Sequence, residues 1–312
     1  MLTDVAELLR CPQCPPAEEN GLVLDGRTLR CPRGHSFDVA KQGYVNLLAG
    51  GVPRHADTPA MVAARERFLG TRAYGPIRDA VRFAARRPDD SSGPLTLVEA
   101  GAGTGYYLTG CLADDDRGIA LDISPAAARR ASRAHPRIGA VVADTWAGLP
   151  VRSGVVDVLL AVFAPRNPAE FARVLAPQGR VLVVTPLPQH LAGLRSALHL
   201  LDIEHDKGSH LLERMAGHLD LVAGTDIRFT ARLSPASVAD LVGMGPNAFH
   251  VTSRDGGPTT SAGPRDGGPT TSDDPTARPH SATPSATDRL DDEVAVEVAV
   301  EVAVRLWEFV RA

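Results

Sequence analysis

The sequence has few of the features that would place a protein in a membrane or outside the cell. No uninterrupted apolar run approaches the ~18 residues that a membrane-spanning helix requires. The first ten residues carry Asp4 and Glu7 and no apolar core, which argues against a secretory signal. We therefore expect a cytoplasmic protein without a membrane partner.

Lysine and aromatic residues are also scarce, and the formal net charge of the chain is −4. Lysine occurs only at positions 41 and 207, so arginine supplies almost all of the positive charge. The negative balance excludes a chain that is basic throughout. Residues 1–88, however, hold thirteen Lys and Arg against nine Asp and Glu, so the N-terminal part is the better candidate to face a polyanion.

The length of 312 residues suits a Rossmann-sized domain with an accessory module. Apolar residues make up 44% of the chain and charged residues 22%, which excludes wholesale disorder. We predict a small module at 1–48, a linker and helical segment at 49–94, and a main domain at 95–312. Residues 251–288 contain the octapeptide RDGGPTTS twice and are predicted to be a disordered low-complexity insertion.

Only four cysteines are present, and three of them lie within the first 31 residues. Together with one histidine they form the pattern C-x2-C-x16-C-x3-H, which has the spacing of two zinc knuckles. A hairpin predicted over residues 21–30 would bring the knuckles together as a zinc ribbon. The predicted ligands of this single structural Zn²⁺ are Cys11, Cys14, Cys31 and His35. The alternative is a set of free thiols beside a surface histidine.

Short apolar runs alternate with helical patterns through the middle of the chain. The runs predicted to be strands are 95–100, 118–121, 140–143, 155–163 and 180–185, and residues 124–134 have the pattern of a helix. This alternation predicts a doubly wound α/β sheet. Two later strands are predicted at 225–233 and, with a helix as the alternative, at 293–304.

A glycine-rich loop follows the first of these strands. Its spacing is G-x-G-x-G, and bulky Tyr106 stands where a dinucleotide-binding loop requires a small residue. An acid two residues before the first glycine makes the loop resemble motif I of class I S-adenosylmethionine (SAM) methyltransferases. A carboxylate there can bind the ammonium group of SAM. The residues predicted to bind this cofactor are Glu99, Gly101, Gly103, Thr104 and Gly105.

Two more acids follow the next two predicted strands. Asp122 is placed to accept hydrogen bonds from both ribose hydroxyls, and Asp144 to contact the adenine amino group. Any one of these acids fits an ordinary turn as well. Three acids at the ends of three successive strands are more specific than the glycines alone, so we predict a SAM site.

Together with the zinc pattern, these motifs resemble the RlmA family of 23S rRNA (guanine-N1)-methyltransferases. The resemblance extends over nearly all of the chain outside 251–288 and includes the segments 37–48, 57–74, 162–168 and 244–250. Residues 163–168 and Met244-Gly245-Pro246 are most similar to the branch that confers resistance to macrolides such as tylosin and mycinamicin.

This resemblance implies a Rossmann-like class I methyltransferase fold, with a seven-stranded sheet whose last strand is antiparallel, preceded by the zinc ribbon. It implies methyl transfer from SAM to N1 of a guanine in the helix 35 hairpin loop of 23S rRNA, at nucleotide 748, and through it macrolide resistance. It also implies a homodimer.

The residues that would contact the RNA are less specific. Arg166 and Asn167 are the candidate catalytic residues, the first for a phosphate or the charge on guanine O6 and the second for a guanine edge. Basic side chains would contact phosphates and phenylalanines would stack on a base, although surface arginines and core phenylalanines explain the same pattern. The predicted substrate-binding residues are Arg33, Lys41, Arg54, Phe163 and Phe249. No side chain is an obvious general base.

Two other functions remain open from the sequence. A SAM methyltransferase of a small molecule, with the zinc ribbon as a lid, predicts a tight apolar pocket and no RNA binding. A non-catalytic zinc-ribbon protein that binds nucleic acid predicts a degenerate cofactor site, and the intact acids and glycines argue against it.

Overall fold

The computed structural model describes residues 2–48, 50–51, 56–86, 93–198, 200, 207–245 and 297–312. The predicted insertion at 251–288 lies outside the described residues, as do the predicted RNA-binding residues Arg54 and Phe249. No helix in the described part is both long and apolar enough to span a membrane.

The N-terminal module contains the predicted hairpin. Helix α1 (Leu2–Val5) is followed by a three-stranded antiparallel sheet of β1 (Val23–Asp25), β2 (Thr28–Arg30) and β3 (Ser36–Asp38). Gly26 opens the two-residue turn between β1 and β2 at a φ of +60°, which a side chain would disfavour. The hairpin therefore forms where the Asp25-Gly26 pair predicts it.

A second, eight-stranded sheet forms the centre of the molecule. Its strands are β4 (Tyr44–Asn46), β5 (Thr96–Ala100), β6 (Arg117–Asp122), β7 (Ile138–Val142), β8 (Val156–Val162), β9 (Leu175–Pro186), β10 (Leu219–Leu233) and β11 (Val298–Arg311). They lie in the order β10-β11-β9-β8-β5-β6-β7-β4, and strands β4 to β9 run parallel, whereas β11 is antiparallel to both of its neighbours. Without β4 this is the seven-stranded class I methyltransferase sheet with an antiparallel last strand, which confirms the predicted fold class.

The eighth strand differs from the prediction, because β4 comes from the N-terminal segment. Tyr44–Asn46 pairs in parallel with β7, and the Leu47 N–H donates to the Val142 carbonyl at 2.9 Å. Val45 is completely buried in this position. Burial of Val45 and Leu47 explains why a segment predicted to belong to the 1–48 module becomes part of the central sheet.

Helices cover both faces of this sheet. The predicted helical segment forms two helices, α2 (Pro59–Gly70) and α3 (Gly75–Ala85), which are separated at Arg72, a residue with a φ of +63°. The hydroxyl oxygens of Thr58, Ser124 and Ser234 cap α2 and the helices that begin at Pro125 and Pro235. The others are α4 (Tyr106–Cys111), α5 (Pro125–Ala134), α6 (Pro168–Val174), α7 (Ala192–Leu198), α8 (Lys207–Met215) and α9 (Pro235–Gly243).

The valine-rich C-terminal repeat is a strand and not a helix. In β11, Val300, Val302 and Val304 are buried at alternate positions, as one face of a packed strand requires. The strand continues to Arg311, beyond the predicted end at 304, and pairs with β9 on one side and β10 on the other. Its predicted start at 293 lies outside the described residues.

The zinc-ribbon module and the large sheet share one hydrophobic core. Leu9 forms an isolated bridge with Val151, and Leu22 and Leu29 of the ribbon belong to the same buried cluster as Phe171 of α6. The division at residue 48 stays a prediction, but the shared core indicates that the two parts unfold together.

An ion network around Glu170 adds polar contacts to this junction. The Glu170 carboxylate accepts from the Leu149 N–H at 2.7 Å, from Arg173 and, at 3.3 Å, from Arg10 of the N-terminal module. Arg173 also lies 3.4 Å from Glu19. Despite its partial burial, these hydrogen bonds and charges hold the pKa of Glu170 below its usual value. Glu170 therefore joins the two modules and is not the exposed helix-start acid that its position suggests.

We expect Glu170→Gln to lower the free energy of unfolding by about 1–3 kcal/mol, because a half-buried charge network loses its acceptor. Urea unfolding at pH 7 measures this loss. The matched control, Glu66→Gln, removes an exposed pair with Arg130 and should change stability by less than about 1 kcal/mol.

The same comparison has an expected pH dependence. Since folding lowers the pKa of Glu170, its contribution is present above the unfolded-state pKa and falls as the pH drops through the folded-state pKa. The difference between wild type and Glu170→Gln should therefore shrink in acid, and a difference that stays constant down to pH 3 would contradict this role.

Candidate active site and zinc centre

The three cysteines and the histidine predicted as zinc ligands lie together. Their four ligand atoms all fall within 4.8 Å of one another. The Cys14 and Cys31 sulfurs are 3.8 Å apart, and His35 Nδ1 is 3.4–3.5 Å from each of the three sulfurs. A tetrahedral Zn²⁺ with Zn–S bonds of about 2.3 Å requires sulfurs about 3.8 Å apart, so the cluster fits the metal.

The surroundings of the sulfurs also suit thiolate ligands. Backbone N–H groups of Gln13 and Cys14 face the Cys11 sulfur, and those of Arg33 and His35 face Cys31. Such hydrogen bonds stabilise negative charge on sulfur. With four protein ligands the site is closed to substrate, which makes the zinc structural. The compact geometry disfavours the alternative of free thiols beside a surface histidine.

A pocket of about 690 Å³ opens at the carboxyl ends of the parallel strands, where α/β sheets bind their ligands. Its lining includes residues from the ends of β5, β6, β7, β8 and β9. The predicted cofactor residues that line it are Glu99, Gly101, Gly103, Asp122 and Asp144. Thr104 and Gly105 belong to the same loop but do not line the pocket.

The glycine-rich loop has a backbone that only glycine adopts easily. Gly101, Gly103 and Gly105 have φ values of +70°, +55° and +78°. A Cβ on Gly101 would lie 2.6 Å from the Ala164 Cβ, on the segment that follows β8. The loop therefore passes directly against the end of β8, and Gly105 precedes the first residue of α4.

Glu99 is a buried acid that faces this pocket. Only 1% of its surface is exposed, and its carboxylate accepts from the Leu108 N–H at 3.0 Å. Burial, together with the nearby charge of Asp122, raises the pKa of Glu99 to about 8. A cationic ligand group would offset this desolvation, so the ammonium of SAM fits the position.

The other two acids hold their loops in shape while facing the pocket. Asp122 accepts from the Gly103 N–H at 2.7 Å and from the Ser124 N–H at 2.8 Å, and burial raises its pKa. Asp144 accepts from the Trp146 N–H at 2.9 Å. Each carboxylate retains acceptor capacity for ribose hydroxyls or an adenine amino group. The residues present therefore fit SAM.

We expect Asp122→Asn to weaken SAM binding about 10- to 100-fold, because one charge-assisted contact to the ribose is lost. The amide keeps the size of the side chain, so the fold should persist. Calorimetric titration with SAM measures the change, and Asp220→Asn, at an exposed position on β10, serves as the control. Equal SAM affinity in the Asp122 variant and the wild type would remove the proposed ribose contact.

The opposite wall of the pocket is aromatic. Phe163 directly follows β8 with a φ of +53°, an unusual value for a residue with a side chain, and 42% of it is exposed. Its ring stacks on His190, with centroids 5.9 Å apart, and lies 6.2 Å from the ring of Tyr74. Phe163 therefore lines the pocket with an exposed ring, and its contact with a substrate base stays a prediction.

The two candidate catalytic residues occupy different positions. Arg166 lines the pocket, and burial together with Arg214 lowers its pKa. Asn167 does not line the pocket. Its amide oxygen caps α6, and its amide nitrogen donates to the carbonyls of Thr145 and Trp146. We therefore assign Asn167 to positioning of the Asp144 loop, in place of the guanine contact expected from the sequence.

Two of the predicted basic RNA contacts, Arg33 and Lys41, do not line the pocket. Arg33 is exposed on the zinc ribbon and pairs with Glu18 at 2.6 Å. Lys41 precedes β4, which runs parallel to β7 and ends opposite the last residue of β7, so Lys41 lies on the side of the sheet away from the carboxyl ends and the pocket. Contacts of Arg33 and Lys41 with RNA therefore stay predictions that require a surface extending beyond the pocket.

Four pocket residues have roles that the sequence does not predict. Arg65 of α2 bonds to Asp57 and to the Met244 carbonyl, and lies beside Gly103. Tyr74 bonds to His190 across 116 positions of the sequence. Asp57, Arg65 and Tyr74 lie in a segment that resembles the RlmA family, which is the one signal that points to them, whereas His190 has none.

Comparisons with known proteins point to one family. The family model described as RlmA, N-terminal, matches residues 9–50, which contain all four zinc ligands. The 23S rRNA (guanine(748)-N(1))-methyltransferase of Streptomyces fradiae is 44% identical over 252 residues, covering 80% of this chain and 89% of the relative. A Micromonospora griseorubida protein, named provisionally as a 23S rRNA (guanine-N1)-methyltransferase, is 44% identical over 264 residues, covering 80% and 90%.

A SAM-dependent methyltransferase from Aquifex aeolicus is a more distant structural neighbour. It is 12% identical, with a TM-score of 0.35, over 43% of this chain and 76% of that chain. The fold assignment depends on the strand order and not on this likeness. Identity of 44% across most of both chains is a family relationship, and the predicted cofactors, SAM and zinc, are those of the family. This chain belongs to the RlmA family of 23S rRNA (guanine-N1)-methyltransferases.

Proposed function

We propose that this chain transfers the methyl group of SAM to N1 of guanine 748 in the helix 35 hairpin loop of 23S rRNA. The observation that carries the proposal is a pocket whose two halves differ in chemistry. One half presents Glu99, Asp122 and Asp144, and the other presents the exposed ring of Phe163. The named activity of the Streptomyces fradiae relative supports the choice of guanine 748.

The order of the strands determines which half holds which ligand. Asp144, two residues after β7, suits the adenine of SAM, and Asp122, the last residue of β6, suits the ribose. Glu99 in β5 suits the ammonium group. Strand β8 lies on the other side of β5, so Phe163 is next to the methionine end of the cofactor. Bound SAM supplies the electrophilic methyl carbon, and the chain positions the acceptor against it.

Phe163 and Arg166 would hold the acceptor nucleotide. An exposed ring suits stacking on a base displaced from an RNA loop, which is how proteins select unpaired bases. Arg166, at the same end of β8, would bind a phosphate of that nucleotide. Both contacts leave N1 of the base free for methylation.

The biological setting follows from the resemblance to the macrolide-resistance branch. Methylation in helix 35 would reduce macrolide binding, and the ribosomal substrate places the enzyme in the cytoplasm. The homodimer implied by the family is part of this proposal. Each of these statements depends on the residues shared with the family and stays a prediction.

A methyltransferase of a small molecule is the second candidate. The negative net charge and the largely apolar acceptor side of the pocket favour it. The attachment of the zinc ribbon disfavours a role for it as a lid. The ribbon is fixed to the sheet through β4 and the Glu170 network.

The two candidates differ in the identity of the methyl acceptor. We would incubate the protein with radiolabelled SAM and unmodified 23S rRNA, with 16S rRNA and the Asp122→Asn variant as controls. The proposal predicts label in 23S rRNA only, and less of it with the variant. Absence of label in RNA while SAM binds normally would favour a small-molecule acceptor.

A further inference from the structure

Three rings, those of Tyr74, His190 and Phe163, form a cluster on the acceptor side of the pocket. Their centroids are 5.9–6.2 Å apart in each pair, and the Tyr74 ring also packs edge-on against Phe68 at 4.9 Å. Tyr74 and His190 are 3% and 7% exposed, yet both line the pocket. Their polar atoms are therefore held in place before any ligand arrives.

The hydrogen bonds of His190 determine where its proton lies. Nδ1 accepts from the Ala303 N–H of β11 at 3.3 Å, so the proton of the neutral ring is on Nε2. Nε2 is 3.3 Å from the Tyr74 hydroxyl oxygen and donates to it. Burial and the charge of Arg195 lower the pKa of His190 to about 4, which keeps the ring neutral.

This arrangement leaves the hydroxyl proton of Tyr74 available. The oxygen already accepts from His190, and no acceptor for its proton occurs among the described residues. Burial raises the pKa of Tyr74, so the hydroxyl remains protonated and acts as a donor. An acceptor atom of a ligand in the pocket would therefore complete the hydrogen bonding of this hydroxyl.

We propose that Tyr74 donates a hydrogen bond to O6 of the target guanine and that His190 positions it. The inference rests on the proposed function. Guanine N1 loses its proton to water, and the negative charge spreads to O6, where the Tyr74 hydroxyl stabilises it. The N1 electron pair then forms the bond to the methyl carbon, while the electron pair of the broken C–S bond stays on sulfur.

The other charged and titratable groups near the cluster do not replace this donor. Arg195 of α7 donates from Nε to the His190 carbonyl at 3.1 Å. Tyr107 of α4 is buried beside Tyr74, and burial raises its pKa. Glu99 and Arg65 face the glycine loop on the cofactor side. Tyr74 differs from these groups because its hydroxyl is held by a buried partner, His190, and its proton has no acceptor among the described residues.

The test is a pH profile of single-turnover methyl transfer to 23S rRNA at saturating SAM. We expect Tyr74→Phe to lower the rate at neutral pH about 100-fold, as loss of an oxyanion donor does elsewhere. The difference in rate between Tyr74→Phe and the wild type should narrow as the pH approaches the pKa of guanine N1. At such a pH the basic solution deprotonates N1 without the hydrogen bond from Tyr74. His190→Phe, which keeps a ring against Phe163, should change the pH profile of the rate in the same direction as Tyr74→Phe. Tyr44→Phe, on β4, is the matched control.

Several results would overturn the inference. An unchanged rate for Tyr74→Phe would remove the donor, and an equal loss at every pH would indicate packing instead. A shifted profile for Arg166→Gln without one for Tyr74→Phe would assign O6 to Arg166. SAM affinity of each variant is measured in parallel and should match the wild type. If the wild type methylates no guanine, the proposed function itself has failed.

Discussion

A Gly101→Ala variant is expected to bind SAM poorly and to transfer methyl groups at least 100-fold more slowly than the wild type. The added Cβ would lie 2.6 Å from the Ala164 Cβ, and the backbone there has a φ of +70°. Neither atom can move without shifting the glycine loop against the end of β8. Since a displacement of about 1 Å can cost about 100-fold in rate, the effect should be large.

Gly154→Ala is the matched control for this prediction. Gly154 has nearly the same φ, +71°, but a Cβ there meets nothing within 4 Å. It should lose about 1 kcal/mol of stability from backbone strain and keep its SAM affinity and rate. Calorimetry and single-turnover assays on both variants distinguish steric collision from strain. Full activity of Gly101→Ala would contradict the proposed contact between this loop and the cofactor.

Cys14→Ser is expected to lose its zinc and to unfold well below the temperature at which the wild type does. Structural zinc supplies about 10–16 kcal/mol of apparent binding free energy in small zinc domains, and this free energy stabilises the fold. The ribbon shares a hydrophobic core with the large sheet. Loss of the zinc should therefore lower the stability of the whole chain, and not of residues 1–48 alone.

Metal content by atomic emission and the melting temperature are the measurements for this variant. Cys111→Ser is the control, because Cys111 is buried in α4, far along the sequence from the ribbon, and is not one of the four clustered ligands. It should retain one zinc per chain. One full zinc equivalent in Cys14→Ser would show that the metal is held by other residues.

The zinc ligands and the cofactor acids are predictable because their information is local. Cys11 and Cys14 form a knuckle through their own backbone, and a two-residue turn at Gly26 brings the second knuckle to it. Asp122 is the last residue of β6, and Asp144 lies two residues after β7. Because β6 and β7 are adjacent parallel strands, both acids lie at the same edge of the sheet. Spacing along the chain determines these geometries before distant parts of the chain come together.

The acceptor side of the pocket depends on contacts between distant segments. Tyr74 immediately precedes α3, and His190 lies two residues before α7. Only the completed sheet brings the two side chains within hydrogen-bond distance of each other. The pairing of β4 with β7 has the same origin, because three residues carry too little pattern to predict an edge strand. Asn167 resembles a substrate contact in sequence, but its helix cap and loop contacts become visible only in the fold.

The most direct test of the central claim is the position of the methyl group on 23S rRNA. After reaction with SAM, primer extension reports N1 methylation as a stop, because the methyl group blocks Watson–Crick pairing. We predict one strong stop at guanine 748, present with the wild type and weak with Asp122→Asn. A stop at a different nucleotide, or methyl incorporation into the RNA without any stop, would contradict N1 methylation of guanine 748.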